Sequence, residues 1–174
     1  MNEEELTVQT IVKIKEFMFA DLDKTIALVN SSNGAPNFML ALVLCCYTEF
    51  WGKLMLYPER DEKKCFDSFF CKLGLKYCDL IYNSDAGIYG RVRCGVVHEY
   101  SIKTKADSES MIVIEGRDCE IVYDKKTQNY TFCVRKYFED FKIAVNNYIE
   151  ELKTESDKFN HAKQALEGKE IKLI

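Results

Sequence analysis

Proline and histidine are nearly absent from this chain: its 174 residues hold 2 of each. So few prolines exclude a proline-rich extended chain, and 8 glycines without a period exclude a collagen-like one. Two histidines far apart leave little from which to build a metal site. An excess of positive charge is also missing, with 24 Lys and Arg against 28 Asp and Glu for a net charge of −4. That is not the profile of a chain that coats nucleic acid through bulk charge, so any RNA contact has to be a local basic site. No apolar run approaches the roughly 20 residues of a membrane-spanning helix. The longest, Phe38 to Tyr47, soon meets Glu49 and Lys53 and reads as a core helix. The amino terminus, Met1-Asn2-Glu3-Glu4-Glu5, has neither the basic nor the apolar region of a secretory signal. The expectation is a soluble, cytoplasmic protein without a membrane segment.

What is present is core material. Hydrophobic residues make up 47% and aromatics 13% of the chain, ample for one domain. Eight cysteines stand at positions 45, 46, 65, 71, 78, 94, 119 and 133. No two have the gap of a zinc knuckle, and most fall among large apolar residues, where a free thiol behaves as a small hydrophobe. In a reducing compartment they are expected to be unpaired, and neither a metal nor a cofactor is expected.

Apolar residues at mixed three- and four-residue gaps predict an amphipathic helix over 4–30, stopped by Asn30-Ser31-Ser32-Asn33-Gly34-Ala35-Pro36. A second helix over about 37–57 is apolar nearly all round and reads as the central helix of a bundle, ended by Pro58. A third spans 61–73, capped by Asp61 and closed by Gly74. Residues 75–82 form a short helix or a turn, and a fourth long helix covers about 86–99. The period then changes. Residues 110–114, 119–123 and 130–134 are β-branched or aromatic runs that predict a small antiparallel meander. A last helix begins near Val134 to Tyr137 and continues to Leu152. The fold class is thus mainly α, an antiparallel helical bundle with a β-meander inserted at about 110–134. One domain covers 1–152, and 153–174 is a helical extension or a loose tail.

The segment Tyr89-Gly90-Arg91-Val92-Arg93-Cys94-Gly95-Val96-Val97-His98-Glu99-Tyr100 concentrates two of the five arginines and one of the two histidines. Arg93, four residues, His98, one residue and Tyr100 form a spacing that resembles the HEPN superfamily of small helical bundles, many of them metal-independent ribonucleases. The string Arg93-Cys94-Gly95-Val96-Val97-His98 is similar to an Arg-Cys-Gly-aliphatic-aliphatic-His variant found there. Cys94 stands where many nuclease members carry Asn, Asp or His. The resemblance implies Arg93 and His98 as catalytic residues, with Cys94 and Gly95 supporting the motif. It further implies a homodimer that joins two motifs, an RNA substrate, and toxin–antitoxin or phage-defence work. Tyr100 is similar to the tyrosine that accepts adenylate in members silenced by a nucleotidyltransferase-type antitoxin.

The residue types suit such chemistry. An imidazole titrates near neutrality and serves as base or acid, while a guanidinium stays charged and forks two hydrogen bonds onto phosphate. Plainer readings stand beside this one. His98 can be a core histidine bonded to a carbonyl, Arg93 can pair with Glu99 or Asp85, and Tyr100 can be a packing residue with a wet hydroxyl. Arg91 reads as a salt-bridge residue, Lys103 and Lys105 as solvated or as touching RNA backbone, and His161 as solvated in a polar tail. A non-catalytic module that binds RNA, a nucleotide or a protein, or a structural dimer, also fits the motif.

Overall fold

The structure is a computed structural model that describes residues 3–29, 35–82, 88–94, 112–115, 122–124 and 129–167. It is mainly helical. Helix α1 runs Glu3–Val29, α2 Ala35–Leu56, α3 Glu62–Lys72 and α4 Leu75–Tyr82. A π-helical segment follows at Tyr89–Cys94. Three short strands come next, β1 Ile112–Glu115, β2 Val122–Asp124 and β3 Asn129–Cys133, and then α5 Val134–Thr154 and α6 Ser156–Leu166.

Helix α2 is the centre, as its all-round apolar pattern predicts. It packs against α1, α3, α5, α6 and the π-helical segment. Its Leu40, Ala41, Leu44, Cys45, Trp51 and Leu54 are fully or almost fully buried. By length and composition alone Asn37–Leu56 could cross a bilayer, yet half of that stretch is covered by its own neighbours. Aromatic rings fill the space around it. Trp51 stacks on Phe69 at 6.2 Å, and Tyr148 meets both edge-on at 6.1 and 6.0 Å. A second group joins Phe70 with Tyr77, Phe132 and Tyr137. Such edge-to-face and offset contacts add to the area that the rings bury.

The α3 termini follow their sequence signals. The Asp61 carboxylate accepts from the Lys64 backbone N–H at 3.1 Å, and Gly74 takes φ +136° just beyond the last turn, a conformation that other residues rarely adopt.

The strands differ from a meander. Strand β2 lies antiparallel to β3, but β1 pairs parallel with β3, so the order is β1-β3-β2. Alternation along a strand marks its buried face and does not name its neighbours. Strand β3 is the middle strand, and its buried Phe132 and Cys133 lead straight into α5. Of the two expectations for the chain beyond 153, the helix is found at Ser156–Leu166. Its Ala162 and Ala165 are buried in the common core. His161 is half-buried with Nδ1 3.2 Å from the Met55 carbonyl oxygen, which corrects its reading as a solvated tail residue. The small alanines carry too little hydrophobic signal to reveal this contact.

One ionic junction ties three helices. Glu151 of α5 accepts from Lys72 of α3 at 2.9 Å and from Lys158 of α6 at 2.6 Å. Burial works against the Glu151 carboxylate, and the hydrogen bonds from Lys158 and Lys72 outweigh it, so its pKa lies below the usual range. A carboxyl depressed in the folded state contributes stability that is complete above its unfolded pKa of about 4.3 and is lost as pH falls through the folded value. Glu151→Gln is therefore expected to flatten the loss of stability below about pH 5. Urea midpoints measured from pH 7 down to 3 check this, and an unchanged slope speaks against the junction.

Candidate functional site

Arg93 lies in the last turn of the π-helical segment, which packs across α2 and α3. Its partner is Glu49, in the middle of α2. Both Nε, at 3.1 Å, and Nη2, at 2.9 Å, donate to Glu49 Oε2. The other oxygen of Glu49 accepts from Lys53 at 2.6 Å, and Lys53 reaches Glu62 Oε1 at 3.1 Å. Glu62 Oε2 closes the ring, 3.9 Å from Arg93 Nη2 and 3.4 Å from the Tyr89 hydroxyl that donates to it. The Tyr89 ring supports the guanidinium from one side, its centroid 5.4 Å from Cζ. Two cations and two carboxylates thus alternate around a neutral ring. The Glu49 side chain is 8% exposed and that of Arg93 19%, which makes their pair the dry half. Lys53 and Glu62 form the wet half.

Electrostatics follow this gradient. Burial opposes the charge on Arg93, and the Glu49 carboxylate more than offsets it, so the pKa is raised. Lys53 is likewise raised against burial, by hydrogen bonds to Glu49 and Glu62. Glu62 is lowered, chiefly by the hydrogen bond from Lys53. Burial pushes the Tyr89 hydroxyl up. Arg93, Lys53 and Glu62 therefore hold their charges firmly near neutral pH.

Of the motif residues, Arg93 and Cys94 are described, and both are half-buried. His98, Tyr100 and Gly95 lie outside the described residues, as do Glu99, Asp85, Lys103 and Lys105. Among the described residues the partner of Arg93 is Glu49, 44 positions away, while Glu99 and Asp85 lie outside them. A signal for Glu49 does exist in the sequence. It is a lone acid in an otherwise apolar helix, and a carboxylate at such a place requires a cation from another element.

Elsewhere, an open groove of about 660 Å³ runs between the start of α1 and the α5–α6 junction, lined by Glu5, Val8, Leu152, Glu155 and Phe159 among others. Its acidic rim does not suit a polyanion, and no residue of the Arg93 ring lines it.

Comparison of the chain with known protein families, with characterised proteins and with solved structures gave no match.

Proposed function

We propose that this chain is a HEPN-like endoribonuclease that cleaves RNA by transesterification without a metal. The observation that carries the reading is a guanidinium fixed in place by Glu49 and Tyr89, five positions before His98 in the sequence. An oriented cation is what a developing phosphorane requires, because hydrogen-bond donors set before the reaction need no reorganisation during it. In this reading His98 takes the proton from the 2′-hydroxyl, whose oxygen attacks the adjacent phosphorus. Arg93 stabilises the charge on the phosphoryl oxygens, and an acid returns a proton to the departing 5′-oxygen. The products are a 2′,3′-cyclic phosphate and a free 5′-hydroxyl. A homodimer supplies the second motif, so that one His98 serves as base and its counterpart as acid. Tyr100 is the position at which a nucleotidyltransferase-type antitoxin partner would silence the enzyme by adenylation.

The test is RNA incubated with the protein in excess chelator, with product ends identified. Cleavage is expected to persist, to leave cyclic phosphate, and to fall by at least about 10²-fold in His98→Ala, the usual scale for loss of a general acid or base. Loss of cleavage in chelator, or full activity in His98→Ala, contradicts this mechanism.

One observation favours a second reading, a non-catalytic module that binds a nucleotide, RNA or a protein. The Arg93 ring is electrically neutral, and two nitrogens of the guanidinium already serve Glu49. In that case binding occurs without turnover and His98→Ala leaves calorimetric affinity unchanged.

A further inference from the structure

Cys71 lies in the last turn of α3 and Cys78 in the middle of α4, seven positions apart across the corner at Gly74. The positive φ of Gly74 folds α4 back, with its carbonyl accepting from Tyr77 N–H at 3.0 Å and from Cys78 N–H at 3.3 Å. That corner brings the two side chains together. The Cys78 thiol donates to the Cys71 carbonyl oxygen at 3.4 Å, which sets the two cysteines side by side. Both side chains are half-buried and within reach of a small reagent, whereas Cys45, Cys65 and Cys133 are closed off in the core. The exposed Tyr82 ends α4, four positions beyond Cys78.

We propose that Cys71 and Cys78 are a reversible redox modification site, forming a disulfide that fastens α4 to the end of α3. The oxidant is a low-molecular-weight disulfide such as oxidised glutathione. One cysteine thiolate attacks a sulfur of the reagent, forms a mixed disulfide and releases one reduced thiol. The second cysteine thiolate then attacks the protein sulfur of that mixed disulfide and releases the other. In sum the two cysteines lose two hydrogens and two electrons, and the reagent gains them as two free thiols. Burial and the neighbouring Cys78 thiol push Cys71 up to about 12, so its exchange quickens as pH rises. The bridge acts at the helix that precedes the Arg93 segment, and it does not depend on the activity assigned to that segment.

The experiment equilibrates the full chain with graded ratios of oxidised to reduced glutathione, blocks free thiols by alkylation, and maps tryptic peptides by mass. Cleavage after Lys72 and Lys76 separates the two cysteines, so the bridge appears as peptide 65–72 joined to peptide 77–91 with two hydrogens lost. Fragmentation of the joined species locates the bond on Cys71 rather than Cys65, without relying on a variant. Excess reductant is expected to restore both peptides. Cys71→Ser and Cys78→Ser are each expected to abolish the joined species. The proposal is overturned if the joined species is missing at the most oxidising ratio, if the bond maps to any other pair, or if both cysteines end as separate glutathione adducts.

Discussion

Gly52→Ala is expected to destabilise the fold by about 3 kcal/mol or more, the upper range for forcing extra volume into a packed interior. The glycine lies where α2 crosses α3. A Cβ added there would stand 2.0 Å from the Cys65 carbonyl oxygen and 2.5 Å from its carbon. Both obstacles are backbone, so no side chain can swing aside and the helices have to separate. Separation opens the Trp51–Phe69 stack and lengthens the Lys53–Glu62 bridge. In an open helix position the same substitution gains about 1 kcal/mol of helix propensity, so the expected sign is reversed here. Gly90 is the control, since nothing lies within 4 Å of its added Cβ. Urea unfolding should show a lower midpoint with an unchanged slope for Gly52→Ala and no comparable loss for Gly90→Ala. A Gly52→Ala protein as stable as the parent would mean that α2 and α3 do not cross at this point.

The second large effect concerns the Arg93–Glu49 pair. Removing one partner of a buried pair leaves a charge in poor solvent, commonly at a cost of about 3–5 kcal/mol. Lys53 still serves Glu49 when Arg93 is gone, so Arg93→Ala is expected at the low end, about 3 kcal/mol. Replacing both residues by methionine removes the orphaned charge along with the pair. The double variant is therefore expected to be more stable than the sum of the single losses, with a coupling of about 1–3 kcal/mol. Additive losses would show that the two groups do not meet. The cycle also bears on the activity assay, because a loss of cleavage in Arg93→Ala mixes lost chemistry with lost structure. His98→Ala, judged beside its melting temperature, is the cleaner variant for that assay.

Much of the fold could be read from local signals. Asp61 and Gly74 bound α3 because capping and positive φ are short-range requirements that a few residues state on their own. The apolar surface of α2 announced a central helix for the same reason. What stayed hidden depends on distant partners. Gly52 reads as an ordinary helical glycine until the Cys65 backbone is laid across it. Glu49 reads as the end of an apolar run until Arg93 arrives from 44 positions away. Ala162 and Ala165 look too small to anchor a helix, yet small residues are what let α6 approach α2 closely. The Cys71–Cys78 spacing fits no metal-ligand pattern, and only the reversal at Gly74 makes neighbours of them. The Arg93–His98–Tyr100 spacing was legible from the start, because a motif is carried by residue type and interval.

The central claim is that Arg93 and His98 act on one another's surroundings. The chain has only two histidines, so an NMR titration of the imidazole signals resolves His98 beside His161 as an internal reference. A nearby guanidinium disfavours the imidazolium, and removing it raises the histidine pKa. Arg93→Gln is predicted to move the His98 titration to higher pH while the His161 curve stays in place. A His98 curve that is identical in both proteins, with the fold intact, would contradict the shared site.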